Sequence, residues 1–261
     1  MQTFLLTTWT LWRREVTRFL RQRSRWLAAL VTPLGIWLLI GSGLGRSFVL
    51  PQAGGELTYL EYFYPGMLLL VVLFTAIYSG LSLIEDRREG FLLAVLVAPV
   101  DRRAIVLGKV MGATSLAFLQ SVVLLAAAPL LGIPLTFGSG LFAGVVLFLV
   151  SLAFSSLSFV TAWATGTVEG FHSAMNLVLF PLWLLSGAVF PAEGAFSWIR
   201  WLMWANPLTY AHRALQSDLY GWSLQRAEPW TGVAVTGLFG AACLLLGAWQ
   251  VEHQRGTAVA Q

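Results

Sequence analysis

The chain from Pro65 to Arg103 reads PGMLLLVVLFTAIYSGLSLIEDRREGFLLAVLVAPVDRR. Its first part, Pro65–Ile84, contains no Asp, Glu, Lys or Arg and has the length of about 20 residues that a helix needs to cross a bilayer. The apolar run behind the charged residues, Phe91–Ala98, is far too short to cross. The stretch therefore predicts a membrane-spanning helix, a charged turn and a short helix at one membrane surface.

The composition of the whole chain agrees with a membrane-embedded fold. Of its 261 residues, 57% are hydrophobic and 11% are charged, whereas soluble domains are about 45–50% apolar and about 25% charged. One soluble core cannot bury this excess of apolar side chains, and a lipid bilayer is the solvent that accepts it. We expect an all-α polytopic membrane protein with little mass outside the bilayer.

Six apolar runs have the length of a membrane span. We predict spans at Trp26–Leu44, Pro65–Ile84, Ala104–Leu131, Leu141–Ala164, Phe171–Phe190 (which contains Pro181) and Thr231–Val251. They define a transmembrane domain over residues 26–251, between an N-terminal segment of residues 1–25 and a cytoplasmic tail of residues 252–261. We expect no cleavable signal, because six arginines precede the first run and no small-residue cleavage site ends it.

The N-terminal segment is predicted to be an amphipathic helix at the membrane interface rather than another span. Its apolar residues recur at steps of four and three on one helical face: Leu5, Trp9, Trp12, Val16 and Phe19. Its arginines fall elsewhere around the helix, as in helices that lie flat on a membrane. A disordered basic tail is the alternative interpretation.

The basic residues predict the orientation, because they collect on the cytoplasmic side of a membrane. Twelve of the 16 fall on one side: Arg13, Arg14, Arg18, Arg21, Arg23, Arg25, Arg87, Arg88, Arg102, Arg103, Lys109 and Arg255. The other side has Arg46, Arg200, Arg213 and Arg226. We therefore expect both termini in the cytoplasm, and we interpret the positive charge as a topology signal rather than as a nucleic-acid-binding surface.

The charged turn after the second span comprises Glu85, Asp86, Arg87, Arg88, Glu89 and Gly90. We expect the following short helix to bury its apolar side against another surface and to end before Pro99, which has no amide donor. Asp101 is placed to cap the next helix. A helix of this kind is suited to serve as a docking site for a soluble partner. The alternative interpretation is a solvated charged loop that only fixes the topology.

The outer segment Pro191–Trp230 is rich in tryptophan, which prefers the membrane–water boundary: Trp198, Trp201, Trp204, Trp222 and Trp230. The first three are spaced for one side of a short helix, which Asn206-Pro207 ends. A second short helix is predicted at Tyr210–Tyr220. Two such helices favour a segment that dips into the outer leaflet and returns; an ordinary outer loop is the alternative. We expect the other outer loop, Arg46–Tyr64, to be a connection.

Several kinds of chemistry are absent from the sequence. The middles of the spans contain no charged residue, whereas ion pumps and membrane enzymes usually have some. No His, Cys, Asp or Glu residues have metal-ligand spacing. The single lysine, Lys109, lacks the glycine and hydroxyl residues of a phosphate-binding loop. We therefore expect no cofactor on this chain and no ATP hydrolysis by it.

Fragments along nearly the whole chain resemble the permease subunits of type-2 ABC exporters, a bacterial group that includes drug, lipo-oligosaccharide and polysaccharide export permeases. The fragments are Tyr64-Pro65-Gly66, Glu85–Gly90, Leu96-Val97-Ala98-Pro99-Val100, Leu107-Gly108-Lys109, Gly187-Ala188-Val189-Phe190-Pro191, Asn206-Pro207-Leu208-Thr209-Tyr210 and Arg213. Because all of these fragments occur in this order and at these membrane positions, they support the resemblance more strongly together than any one of them does alone.

The resemblance implies a surface-lying N-terminal connecting helix, six spans, a coupling helix within Glu85–Arg103 that docks into an ATPase, and re-entrant helices before the sixth span. The residues it singles out at the re-entrant segment are Pro191, Asn206, Pro207, Tyr210 and Arg213. It further implies a permease homodimer with two ABC ATPase subunits in the bacterial inner membrane, with ATP and Mg on the ATPase. The implied substrate is amphipathic or lipid-linked.

Two other functions stay open at this point. One is an ATP-independent carrier or lipid-translocating protein, and the other is a structural membrane scaffold. Neither accounts for the charged segment after the second span as well as a coupling role does.

Overall fold

The computed structural model describes residues 2–45, 58–220 and 229–253, and these contain no β-strand. Some predictions fall outside them: most of the loop Arg46–Tyr64, both Trp222 and Arg226, and most of the tail including Arg255.

Ten α-helices follow one another in the described residues. They are α1 (Gln2–Arg21), α2 (Arg23–Leu44), α3 (Tyr59–Arg88), α4 (Phe91–Val97), α5 (Arg102–Leu125), α6 (Phe137–Thr165), α7 (Val168–Trp183), α8 (Ser197–Ala205), α9 (Pro207–Tyr220) and α10 (Pro229–His253). Six of them are long and apolar enough to cross a bilayer, namely α2, α3, α5, α6, α7 with the turn that follows it, and α10. The predicted all-α fold with six spans is confirmed.

Local capping residues explain where several helices begin. Thr58 and Glu61 form a reciprocal cap at the start of α3, in which the Thr58 amide donates to the Glu61 carboxylate over 2.7 Å. Thr136 and Ser139 do the same for α6. The Asp101 carboxylate accepts from the Arg103 amide over 2.9 Å, so the predicted cap of α5 is present.

Two predicted spans are interrupted. The third ends at Leu125, and a short 3-10 helix, Ala128–Leu131, follows. Pro129 explains this break, because proline has no amide donor and its ring clashes with the carbonyl four residues earlier. The fifth span contains Pro181 within α7 and then widens into a π-helical turn, Leu184–Ala188, in which Gly187 has a φ of 89°.

Helix α3 is the centre of the bundle. In the most apolar 18-residue stretch of α3, 78% of the residues are buried, whereas the corresponding figures are 22% for α2 and 28% for α10. It packs against α2, α5, α6 and α7. The sides of α2 and α10 are consequently left for lipid or for another protein.

Successive spans alternate in direction, which gives the bundle two distinct ends. At the arginine-rich end, α1 meets the last turn of α3, and Arg102 of α5 donates to the Val251 carbonyl of α10 over 3.1 Å. At the opposite end, Tyr220 of α9 donates to the Glu61 carbonyl of α3 over 2.5 Å.

Helix α1 packs along α5 at the arginine-rich end. Gly108 and Gly112, four residues apart, allow this close approach, because a Cβ on either would lie 2.8 Å from the Cβ of Leu11 or Glu15. The Trp12 indole donates to the Ser115 hydroxyl over 3.0 Å. One side of α1 therefore belongs to the bundle, although Trp12 was predicted on the membrane-facing side.

Candidate functional site

The charged residues after the second span begin as a continuation of α3. Residues 85–88 form its last turn, and the Glu89 amide donates to the Glu85 carbonyl over 2.8 Å. Gly90 then has a φ of 76°, a left-handed conformation that glycine adopts without steric penalty. Because α4 begins at the next residue, only Glu89 and Gly90 separate it from a spanning helix.

Asp86 lies in a buried ionic cluster between α1, α3 and α5. Arg14 donates to both carboxylate oxygens, over 2.8 and 2.7 Å, and Arg18 donates to one of them over 2.5 Å. Lys109 of α5 donates to Asp86 and, over 2.6 Å, to Glu15. The side chains of Asp86, Lys109 and Glu15 are at most 5% exposed.

The charges of this cluster depend on one another. Burial disfavours the charged Arg14 guanidinium, but the hydrogen bonds and charge of Asp86 outweigh that effect and raise the pKa of Arg14 above its ordinary value. Removing one partner of a buried ion pair costs about 3–5 kcal/mol, because it leaves an uncompensated charge. The cluster therefore fixes α1 against α3 and α5.

A more exposed layer of ion pairs surrounds the cluster. Glu85 accepts from Arg25 and, over 3.0 Å, from Arg18. Arg18 also lies 3.3 Å from Glu89, whose side chain is 59% exposed. Exposed pairs contribute only about 0–1 kcal/mol, so the Glu89 pair adds little stability and leaves this carboxylate accessible.

Arg87 and Arg88 point toward the turn between α6 and α7. Arg87 donates to the Trp163 carbonyl over 3.3 Å, and its guanidinium lies 5.1 Å from the Trp163 ring centroid. A Cβ at Gly166 would come within 2.6 Å of the same guanidinium. Arg88 is exposed and lies 3.9 Å from Glu169. Arg87 thus connects two helix ends, whereas Arg88 stays at the surface.

Helix α4 presents an apolar side that no described residue covers. Leu92 is buried against the bundle, whereas Leu93 is 47% and Val97 78% exposed. The exposed Pro99 follows two residues after the helix ends. We name Leu93, Val97 and Pro99 the α4 apolar face.

At the opposite end, side chains bind the carbonyls around the π-helical turn. Four bonds do this: Tyr59 to Val189 over 2.7 Å, Tyr62 to Gly187 over 2.7 Å, Asn206 to Leu182 over 2.6 Å, and Thr209 to Leu185 over 3.2 Å. They join α3, the residue between α8 and α9, and α9 itself to the irregular end of α7. π-Helical turns occur frequently at functional sites.

The residues predicted for the re-entrant segment are distributed along it. Asn206 ends α8, as predicted, whereas α9 begins at Pro207, three residues before the predicted start at Tyr210. Asn206 and Pro207 both line a small cavity with residues of α6, α7 and α10. The Tyr210 hydroxyl donates to the Trp204 carbonyl over 2.9 Å. Pro191 lies in the connection after the π-helical turn, immediately before a short 3-10 helix.

His212 and Arg213 add ionisable groups to this end. His212 is buried beside Gly187, and burial, with the neighbouring Arg213, lowers its pKa to about 3. Burial likewise lowers the pKa of the Arg213 guanidinium, partly offset by Glu193. His212 was not predicted as a site residue, because a lone histidine outside the spans belongs to no sequence pattern.

Comparison with known proteins identifies the family. Residues 7–220 match the family model described as ABC-2 type transporter. The chain belongs to the ABC-2 transporter family. It is therefore a membrane-embedded transport permease, and the resemblance noted in its sequence motifs is confirmed.

Individual relatives agree with this assignment. The chain is 28% identical over 209 residues to a putative transport permease ycf38 of Cyanophora paradoxa, covering 79% of this chain and 72% of the relative. It is 31% identical over 170 residues to the daunorubicin resistance ABC transporter permease protein DrrB1 of Streptomyces coeruleorubidus (62% and 58%). It is 30% identical over 194 residues to nodulation protein J of Bradyrhizobium diazoefficiens (71% of each).

Within this permease, the residues predicted for coupling occupy different environments. Asp86 is buried, whereas Glu89 and Pro99 are exposed around α4. Glu15 and Lys109, which complete the cluster, were not predicted as site residues. The sequence does contain a pattern that points to burial of Glu15. This residue lies four positions from both Leu11 and Phe19, and the three share the buried face of α1.

Proposed function

We propose that this permease is the membrane-spanning subunit of an ATP-driven exporter. It moves an amphipathic or lipid-linked substrate, such as a drug, a lipo-oligosaccharide or a polysaccharide, out of the cytoplasm or the inner leaflet. Two copies of a separate ABC ATPase bind ATP and Mg and drive the movement. The relative named for daunorubicin resistance supports export of a drug-like molecule.

The α4 apolar face is the observation that carries the coupling role. A short helix with Leu93 and Val97 exposed to water is unfavourable unless a partner covers it. Because Glu89 and Gly90 alone separate α4 from a spanning helix, a force applied to α4 passes directly into the bundle. We therefore place ATPase docking here, with the exposed Arg88 and Glu89 as polar contacts at its edge.

The arginine-rich end is the cytoplasmic end in this proposal, and the protein lies in a bacterial inner membrane with both termini inside. Unpaired arginines on the cytoplasmic side follow the positive-inside rule. The ATPase is cytoplasmic, so α4 must be on that side as well.

A permease homodimer is supported by the open side of α7. Asn176 is exposed midway along this helix, and its side chain has no hydrogen-bond partner among the residues that the structure describes. An unpaired amide is costly in hydrocarbon. A two-fold axis beside α7 places Asn176 opposite its own copy, where each amide both donates and accepts.

We propose that α8 and α9 form a re-entrant pair at the outer gate. The Asn206-Pro207 turn lines a cavity with Val150 of α6 and Phe239 of α10, which are interior positions of those spans. The turn therefore packs at the depth of the spans rather than above them. The π-helical turn beside it gives the gate a point at which α7 can bend.

The coupling proposal is tested by purifying tagged permease in mild detergent from its native host and measuring co-purifying ATPase activity. We expect Val97→Glu to abolish co-purification while the permease still inserts and remains monodisperse. Leu130→Glu is the matched control, because Leu130 is 87% exposed at the opposite end. Unchanged ATPase recovery with Val97→Glu, or equal loss with both variants, contradicts docking at α4.

A further inference from the structure

Six arginines lie in α1 or the first turn of α2, and the structure divides them into two sets. The inward set, Arg14, Arg18 and Arg25, pairs with Asp86 and Glu85 of α3. The outward set is Arg13, Arg21 and Arg23. The side chains of these three are exposed and make no ion pair or hydrogen bond within residues 2–45, 58–220 and 229–253. The bundle thus compensates half of these charges and leaves the rest facing outward.

Arg13, one of the outward set, shares the open side of α1 with large apolar side chains. Trp9, Arg13 and Leu20 lie on one side of the helix, because intervals of four and seven residues return to the same face. Trp9 is 57% and Leu20 54% exposed. The open side of α1 is therefore apolar and basic together, a combination that suits neither water nor hydrocarbon alone.

The corner between α1 and α2 places this side at the edge of the bilayer. Only Gln22 separates α1 from α2, and the spanning helix α2 begins at Arg23. The exposed Leu27 follows one turn later. In a helix at this depth, apolar side chains enter the acyl boundary while guanidinium groups reach the level of the lipid phosphates.

We propose that Arg13, Arg21 and Arg23 form a binding site for the headgroups of anionic phospholipids in the adjoining leaflet. Guanidinium groups bind phosphate oxygens in a bidentate manner. The exposed Trp9 and Leu20 beside them favour a lipid, whose acyl chains they contact, over a soluble protein. The inference requires only that the chain spans a membrane, so it does not depend on the exporter role.

The site has a structural consequence for the ionic cluster. Arg13 directly precedes Arg14, which binds Asp86. An anionic lipid on the outward side therefore stabilises the position of α1 that the cluster requires. Unpaired arginines beside an anionic surface contribute about fivefold in affinity each, so three contribute on the order of a hundredfold.

The test is a lipid titration of delipidated, full-length protein followed by native mass spectrometry. Phosphatidylglycerol and phosphatidylcholine are titrated separately against the wild type and the R13Q/R21Q/R23Q variant. The single variants are measured in parallel, in case the triple variant does not fold. R103Q is the control, because Arg103 is exposed at the same end but lies on α5 and pairs with Glu252.

We expect the triple variant to lose on the order of a hundredfold of its phosphatidylglycerol affinity, the single variants about fivefold each, and R103Q none. Phosphatidylcholine binding should not change, and inorganic phosphate should not displace the lipid; displacement would indicate a free-phosphate site instead. Unchanged phosphatidylglycerol affinity in the variants overturns the proposal. So does loss of the co-purifying ATPase with lipid affinity intact, because this side of α1 would then belong to a protein partner.

Discussion

Replacing Asp86 with asparagine removes the carboxylate on which Arg14, Arg18 and Lys109 converge. Oδ1 accepts from Arg14 and Arg18, and Oδ2 accepts from Arg14 and Lys109. Either orientation of an asparagine amide therefore directs its NH2 group at two cationic donors. We expect the free energy of unfolding to fall by about 3–5 kcal/mol, the usual cost of breaking a buried ion pair.

For a chain of this size, that loss corresponds to a fall of about 10 °C in apparent melting temperature, at about 2–4 °C per kcal/mol. The assay is tryptophan fluorescence of purified protein during heating, with one detergent and one heating rate for all variants. Glu169→Gln is the control, because Glu169 is exposed and lies 3.9 Å from Arg88. It should shift the transition by no more than about 2–4 °C.

A double variant separates charge compensation from general damage. In Arg14→Gln/Asp86→Asn one cation leaves together with the carboxylate, so the combined loss should be smaller than the sum of the two single losses. If Asp86→Asn shifts the melting temperature no more than Glu169→Gln does, the cluster does not hold α1 in place. Strict additivity in the double variant would refute the pairing itself.

Three further predictions concern other parts of the permease. The pKa of His212 is lowered to about 3 from 6.5, so its stabilising contribution is complete above about pH 6.5 and declines as the pH falls toward 3. Between pH 7.5 and pH 5, the free energy of unfolding of the wild type should fall by about 2 kcal/mol more than that of the His212→Gln variant. The measurement compares the difference between the two melting temperatures at pH 7.5 with the same difference at pH 5. Asn176→Cys in a Cys243→Ser background should cross-link two permeases in membranes under oxidation. Gly187→Ala should destabilise the protein by about 1–2 kcal/mol, because alanine is strained at a φ of 89°, and should lower the melting temperature accordingly.

Each of these has a matched control. A Gln variant with the same pH dependence as the wild type would contradict the assignment for His212. Leu245→Cys, on the exposed side of α10, should not cross-link. If it cross-links and Asn176→Cys does not, the dimer interface is at α10 and not at α7. Gly35→Ala in α2, where a Cβ meets no atom within 4 Å, should not destabilise. Equal effects at Gly35 and Gly187 would show that backbone strain is not the cause.

The spans were predictable because about 20 apolar residues leave few alternatives. The interruptions were harder to place. The third span ends before Pro129, although the apolar run continues through this residue. Hydropathy alone does not predict such a break, because it does not depend on the amide donor that proline lacks. The π-helical turn at Leu184–Ala188 depends on carbonyls bound by side chains of α3 and α9, contacts far apart in sequence.

The candidate site was predicted in its location but not in its partners. The charged turn pointed to the end of α3, and Pro99 and Asp101 correctly placed the end of α4 and the start of α5. The pairing of Glu15 with Lys109 joins residues far apart in the chain through the packing of α1 on α5. Burial of Asp86 was likewise not evident, because its neighbours in sequence are all charged.

The most direct test of coupling through α4 is a photo-cross-linking amino acid incorporated at Val97 in cells that produce the permease from its own locus. Coupling through α4 predicts a product that joins the permease to a subunit with a nucleotide-binding motif, with ATP altering its yield. Incorporation at Leu130 should give no such product. A Val97 position that cross-links only to lipid, or to nothing, while the protein still transports substrate would contradict coupling through α4.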